Sequence, residues 1–125
     1  MTKAKVTIPK EPKQPSDLEQ AFQYHLRIQG FPEPVREYRF MAGRKFQADF
    51  AWQDQMIMVE LEGGVYSGGR HVRGKGYELD VIKYDYAALQ GWTLLRFTRG
   101  MVDDLSAFKF LREAFKARGV IIYEL

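Results

Sequence analysis

The sequence contains no cysteine, which excludes a disulfide framework and any zinc site built on thiolates. It also contains no run that approaches the roughly 18 apolar residues of a membrane-spanning helix. The first residues lack the apolar core of a signal peptide. We therefore expect a protein of the reducing cytoplasm that has no membrane partner.

The sequence does contain enough apolar residues for one folded domain. Of its 125 residues, 46% are hydrophobic, and a chain of this length and composition can bury a sizeable core. No internal repeat and no change of composition marks a second domain. Residues 16–125 are therefore predicted to form a single domain.

The net charge of +3 originates in the first 15 residues. Four of the 19 basic and one of the 16 acidic side chains lie there, which leaves 15 of each sign in the rest. Residues 1–15 also contain three prolines and no apolar periodicity, so they are predicted to form a flexible basic arm. Such an arm is either an inert tail or a non-specific attractor of phosphate groups.

The stretch 45–75 is the centre of the prediction. It contains two segments with an apolar residue at every second position, separated by a polar turn, which is typical of an antiparallel hairpin. A two-residue turn at Asp54 and Gln55 places Asp49 directly opposite Glu60, because opposed residues on paired strands share a face. The other face is wholly apolar and is predicted to be core: Phe46, Ala48, Phe50, Trp52, Ile57, Val59 and Leu61.

The hairpin register also gathers acidic side chains away from this core. Glu62 follows Glu60 on the same face, opposite Gln47, so three carboxylates including Asp49 share one side. Neighbouring like charges are destabilising unless something positive neutralises them. Carboxylate oxygens suit Mg²⁺, so the acids predict either a magnesium site or a solvated outer face that keeps the strand soluble.

Further helices and strands surround the hairpin. A capping-box pattern at Ser16 predicts a helix that ends at Gly30. A strand over 35–40 precedes the hairpin, and a helix over 77–90, a strand over 92–97 and a helix over 102–118 follow it. Residues 120–123 are an optional edge strand. The stripe predicted to be buried in the 77–90 helix is Leu79, Ile82, Tyr86 and Leu89.

Three polar residues of these helices have two interpretations each. Glu19 either completes the capping box or is a fourth acid near the metal. His25 lies on an apolar stripe and is expected to be a buried histidine rather than a metal ligand. Lys83 shares a helical face with Asp80, so an ordinary intrahelical ion pair is one reading of it.

A glycine-rich basic segment follows the acidic strand. Residues 63–76 contain six glycines, so regular structure is not expected there. The glycines permit close approach to a substrate backbone, and the cations neutralise phosphates in a salt-dependent manner. The alternative is a mobile connection whose charges are simply solvated. The residues expected to contact nucleic acid are Arg70, His71, Arg73 and Lys75.

An Asp on the second strand and a Glu-x-acid pattern on the third, within this order of elements, resemble the PD-(D/E)XK nuclease superfamily. About half of the chain, 39–98, resembles small endonucleases related to very-short-patch-repair enzymes. The resemblance implies an α/β fold with a single restriction-endonuclease-like domain. That domain has an αβββαβ core and a mixed central sheet flanked by helices, to which the residue patterns add a C-terminal helix and the optional edge strand. The matching stretches are RFMAGRKFQADFAW and VELEGGVYSGGRHVRGKGYELDVIKYDYAALQGWTLLRFT.

The resemblance also implies Mg²⁺-dependent hydrolysis of phosphodiesters in DNA, with Mn²⁺ able to substitute. Asp49, Glu60 and the backbone carbonyl of Leu61 are the implied metal ligands. The lysine of the superfamily pattern is replaced by Glu62, which can bind a second cation or accept a proton from water.

Because Glu62 supplies no positive charge, the missing lysine is expected from elsewhere. In related families it comes from the following helix, which makes Lys83 the candidate catalytic lysine. Lys45, at the start of the second strand, is the alternative.

Three functions are consistent with these patterns. The first is a metal-dependent DNA endonuclease, nicking or structure-specific, in DNA repair, recombination or phage DNA processing. The second is a nucleic-acid-binding module on the same fold that has lost catalysis, suggested by the absent lysine. The third is an assembly protein that uses the acidic face for protein contacts. So small a nuclease domain rarely cuts both strands alone, so a homodimer is expected.

Overall fold

The fold is known from a computed structural model that describes residues 14–63 and 75–124. Its element order agrees with the predicted αβββαβ core, and the chain forms an α/β structure with helices on a mixed sheet. The elements are α1 (Asp17–Ile28), β1 (Val35–Arg39), β2 (Gln47–Trp52), β3 (Ile57–Glu62), α2 (Lys75–Leu89), β4 (Thr93–Thr98), α3 (Arg99–Asp103) and α4 (Ser106–Ala117).

The four strands form an open sheet in the order β1-β2-β3-β4. The first three are antiparallel neighbours, whereas β4 runs parallel to β3 and is reached through α2, as a parallel crossover requires. In the hairpin, Phe50 pairs with Val59 and Trp52 pairs with Ile57. The predicted register is therefore confirmed, and continuing it places Asp49 opposite Glu60.

One face of the sheet carries the main hydrophobic core. Helices α1, α3 and α4 cover it, and the Phe22 ring of α1 lies at its centre, 5.0 Å from Phe50 and 5.4 Å from Phe108. Helix α1 begins with the predicted capping box at Ser16, in which both reciprocal hydrogen bonds are present. It ends before Gly30, which has a φ of 80°.

The opposite face carries a second apolar cluster, formed by Phe40, Ala48, Ala51, Met58 and Ala87. The prediction of a single core face was therefore incomplete, since the α2 crossover packs back onto the sheet. Phe46 and Ala48 belong to this second cluster and not to the side of Phe50. Phe46 precedes β2, so strand alternation does not fix its side. Ala48 pairs with Tyr38, whose ring lies 5.7 Å from Trp92 on that side.

The predicted buried stripe of the second helix is wrong for Leu79, Ile82 and Leu89, whereas Tyr86 is half-buried and packs against the second cluster. Leu79 is 53% exposed and Leu89 is 83% exposed, and Ile82 is also exposed. The helix instead turns Lys83, Tyr84 and Ala87 towards the sheet, positions that share one face of a helix. The sheet at this point offers carboxylates, so the helix meets it with polar side chains.

The C-terminal region differs from the predicted single helix over 102–118. Leu105 adopts a left-handed conformation with a φ of 67°, and this break separates α3 from α4. Leu105 is exposed, whereas Phe108, Leu111 and Phe115 are buried.

The predicted edge strand is not formed by residues 120–124. The N–H of Val120 donates to the carbonyl of Phe115 at 2.9 Å, which holds this segment against the end of α4 instead of the sheet. None of the helices in the described residues is both long and apolar enough to cross a bilayer.

Candidate functional site

The predicted acidic residues of the hairpin lie where β2, β3 and α2 meet. Asp49 Oδ2 accepts the backbone N–H of Leu61 at 2.8 Å, so its carboxylate is held against β3. Leu61 is the residue whose carbonyl the resemblance implies as a metal ligand. The strand pairing thus brings Asp49, Glu60 and Leu61 together, as predicted.

Asp49 is an acid held in an unfavourable environment. Burial is the main reason that its pKa is raised above the ordinary value of 3.8, and the negative charges of Glu19 and Glu60 raise it further. The N–H of Leu61 and the charge of Lys83 lower this pKa and only partly compensate. A carboxylate of this kind is a candidate partner for a cation.

Glu60 is the only polar or charged side chain among the described residues that is buried, with 8% of its surface exposed. Its Oε1 forms an ion pair with the ammonium of Lys83, and its Oε2 accepts the hydroxyl of Tyr84 at 2.8 Å. Both partners are consecutive residues of α2. Because a buried carboxylate is costly unless it is paired, α2 supplies what Glu60 requires.

The contact between Lys83 and Glu60 takes the place of the ion pair with Asp80 that was one reading of this lysine. Within the described residues Lys83 forms no ion pair with Asp80; it reaches across to β3 instead. The lysine from the following helix therefore lies at the acidic residues, where the resemblance implies it. The alternative candidate, Lys45, is exposed and lines a pocket that Lys83 also lines.

Glu62 lies further along β3, and its Oε1 accepts the Nε of Arg96 on β4 at 2.6 Å. The side chain is about one-third exposed, so it is more accessible than Glu60. In the described part of the chain, no group of three or more acidic or histidine side chains is arranged to hold a metal ion. Asp49 and Glu60 are the carboxylates that could hold one, and Mg²⁺ bound to one or two carboxylates completes its shell with water and phosphate.

Glu19 completes the capping box, which is the first interpretation given to it. Its Oε1 accepts the backbone N–H of Ser16 at 3.3 Å as the capping box requires, and its Oε2 lies 3.5 Å from Arg36. Its charge also raises the pKa of Asp49, so this helix cap contributes to the electrostatics of the site. His25 is half-buried, with its ring 5.4 Å from that of Phe108, in line with the prediction of a core histidine.

Two residues of the site were missed by the sequence analysis, Tyr84 and Arg96. Tyr84 donates to Glu60, and its pKa is raised first by burial and then by this hydrogen bond. The Arg96 guanidinium lies 4.7 Å from the centre of the Tyr84 ring. Arg96 is the parallel-strand partner of Glu60, so only the register of β3 against β4 could have identified it.

The predicted nucleic-acid contacts Arg70, His71 and Arg73 lie outside the described residues, as does most of the predicted basic arm, residues 1–13. Lys75 is the first residue of α2. A pocket of about 660 Å³ between α4 and residues 121–124 contains none of the site residues.

The site therefore combines two opposed carboxylates, a lysine and a tyrosine hydroxyl in a partly buried setting. This arrangement can bind a hard cation and can orient a carboxylate through its hydrogen bonds. No family model, curated protein or solved structure matches the chain.

Proposed function

We propose that the protein is a metal-dependent nuclease of the PD-(D/E)XK type, with a restriction-endonuclease-like fold, that hydrolyses phosphodiester bonds in DNA. The observation that supports this most is the ion pair between Lys83 and Glu60. The strand position that carries lysine in the superfamily holds Glu62, and α2 delivers a lysine to the same carboxylates. An ion pair without a function can form at the surface and does not require that Glu60 be buried.

In this proposal Asp49 and Glu60 hold a Mg²⁺ ion, for which Mn²⁺ can substitute. The bound ion would lower the pKa of a water molecule and neutralise charge on the phosphate. Tyr84 fixes the orientation of the Glu60 carboxylate through Oε2. Lys83 brings positive charge to the place where the anionic phosphate must be stabilised.

In this proposal Glu62 binds a second cation or accepts a proton from water, and β4 contributes Arg96 as its partner. Its carboxylate is accessible enough to accept a proton from water, and Arg96 keeps it oriented through a 2.6 Å hydrogen bond. Arg96 also lies over the ring of Tyr84, which donates to Glu60. The ring of Tyr84 therefore connects the two acids of β3, Glu60 and Glu62.

The test is cleavage of a plasmid and of a panel of branched and linear DNA substrates with Mg²⁺ or Mn²⁺. Asp49→Asn and Glu60→Gln should each lower the rate by at least about 100-fold, because each removes a metal ligand while keeping the shape of the side chain. Asp103→Asn and Glu113→Gln are matched controls on exposed positions of α3 and α4 and should cleave as the parent does. Cleavage that persists in Asp49→Asn would contradict the proposal.

A second candidate function is nucleic-acid binding on the same fold without catalysis. The observation that favours it is that Lys83 and Tyr84 already engage both oxygens of Glu60, so the carboxylate has protein partners on each side. Binding of DNA that survives EDTA, with no cleavage of any substrate under either metal, would select this function.

A further inference from the structure

An open pocket of about 440 Å³ lies between the β1–β2 turn and the first turns of α2. One wall is the segment just before β2, and the other is the exposed side of α2 near its start. The pocket adjoins the site described above because Lys83 belongs to both. The lining residues that matter here are Arg44, Lys45, Phe46, Leu79, Asp80 and Lys83.

Arg44 is positioned by aromatic rings and not by an acid. Its guanidinium carbon lies 5.4 Å from the centre of the Phe46 ring and 5.2 Å from that of Tyr86. Stacking of this kind uses the flat face of the guanidinium and leaves its N–H donors free at the edge. An arginine held in this way is ready to make a bidentate contact with a phosphate.

Two positive charges of this pocket have no ion-pair partner among the described residues, whereas Lys83 is paired with Glu60. Within residues 14–63 and 75–124, neither Arg44 nor Lys45 takes part in one. Apart from Lys83, the charged lining residues are the cations Arg44 and Lys45 and the acid Asp80, so two cations face one carboxylate. The exposed side chain of Leu79 adds an apolar wall of the kind that a sugar ring can contact.

We propose that this pocket binds a backbone phosphate of the nucleic-acid strand, next to the phosphate that is cleaved at the site of Asp49 and Glu60. Arg44 makes the bidentate contact and Lys45 acts as a point charge. The inference rests on the proposed function, since Lys83 is what joins the pocket to the carboxylates. It adds a substrate-binding position that the sequence analysis did not assign to Arg44.

The test measures binding without cleavage. A short fluorescein-labelled DNA duplex is titrated in EDTA at several salt concentrations, and fluorescence anisotropy gives the affinity. The variant with Arg44→Ala and Lys45→Ala should bind about tenfold more weakly at low salt, and its plot of log affinity against log salt should be shallower by roughly 1 to 2. The variant with Lys109→Ala and Lys116→Ala loses the same charge from the exposed surface of α4 and should bind more like the parent.

Two further arms identify the ligand and protect the test against misfolding. Inorganic phosphate at matched ionic strength should compete poorly with the duplex, since the pocket is inferred to hold a phosphate of a longer strand. Asp80→Asn removes the opposing carboxylate and should tighten binding several-fold, with no risk of lost packing at an exposed position.

Each outcome bears on the pocket separately from the nuclease. An unchanged affinity and salt dependence in the Arg44 and Lys45 variant, or equal loss in the Lys109 and Lys116 variant, would overturn the pocket even if the parent cleaves DNA. A selective loss would support the pocket even if no cleavage is found. Failure of the parent to bind DNA at all in EDTA would overturn the pocket, whereas the cleavage assay with Mg²⁺ or Mn²⁺ tests the nuclease separately.

Discussion

At the scale of single residues, Asp49 brings burial and negative charge into conflict. Its pKa is raised, so the folded protein binds this proton more tightly than the unfolded chain does. The stability contributed by Asp49 is therefore present below the ordinary value of 3.8 and is lost as the pH rises through the raised pKa. At neutral pH the charge of Asp49 therefore destabilises the fold.

Replacing Asp49 by Asn should accordingly raise the thermal midpoint at pH 7 by a few degrees, because the amide keeps an acceptor for Leu61 without the charge. The gain should shrink as the pH falls through the raised pKa of Asp49, because the parent carboxyl then loses its charge as well. Thermal denaturation followed by circular dichroism across this pH range measures it. Asp54→Asn, in the exposed turn, is the matched control and should change stability by less than about 0.5 kcal/mol. A lower midpoint for Asp49→Asn at pH 7 would contradict the argument.

Lys83 and Glu60 form a pair whose members depend on each other. Lys83→Met should cost about 2–4 kcal/mol of unfolding free energy, since it leaves a buried carboxylate with only the hydroxyl of Tyr84. Adding Glu60→Gln to Lys83→Met should restore most of the loss, because the uncompensated charge is then removed. Urea denaturation of the two variants and the parent measures both effects.

The pair between Arg27 and Glu33 provides the comparison, since both of its side chains are 64% exposed. Arg27→Met should cost less than about 1 kcal/mol, as is usual for surface ion pairs. Equal costs at Lys83 and Arg27 would show that burial of Glu60 has no energetic consequence.

At the scale of elements, α2 is a helix whose exposed side is more apolar than the side it buries. Leu89→Gln should therefore change stability by no more than about 0.5 kcal/mol, although periodicity alone assigns this leucine to the core. Ala87→Leu should destabilise by about 1–3 kcal/mol, because Ala87 is fully buried against the sheet and has no room for a larger side chain. Chemical denaturation of the two variants distinguishes this orientation of α2 from the predicted one, in which Leu89→Gln would cost more stability than Ala87→Leu.

The hairpin was predictable and the docking of α2 was not, for physical reasons that differ between the two. Alternation in β2 and β3 leaves one register that separates acids from aromatic residues, so Asp49 and Glu60 could be paired from the sequence. The face that α2 turns inward depends on which side chains the sheet presents, and those partners are distant in sequence. Tyr84 and Arg96 escaped prediction for the same reason.

The break between α3 and α4 could not be predicted from the sequence pattern either. Left-handed residues are usually glycine or asparagine, and here Leu105 takes that conformation in a sequence that reads as continuous helix. Ser106 donates its N–H to the Asp104 carboxylate at 2.9 Å, which contributes a local partner for the turn.

At the scale of the whole molecule, the site unites elements that are far apart in sequence. Millimolar Mg²⁺ should raise the thermal midpoint of the parent, because an ion that binds only the folded state stabilises it by mass action. The same addition should leave the midpoint of Asp49→Asn unchanged, since the main charge that attracts the ion is gone. Differential scanning calorimetry with matched ionic strength in NaCl separates ion binding from screening. An equal shift in both proteins would place the ion elsewhere.

The grip of α2 on both oxygens of Glu60 has a consequence for local motion. This helix cannot move away from the sheet without exposing the Glu60 carboxylate and the Lys83 ammonium to water. Amide hydrogen exchange along α2 therefore reports on whether Glu60 keeps its two partners on this helix. A ligand that binds Glu60 would be detected first as a changed exchange rate in α2, even if the ligand makes no contact with this helix.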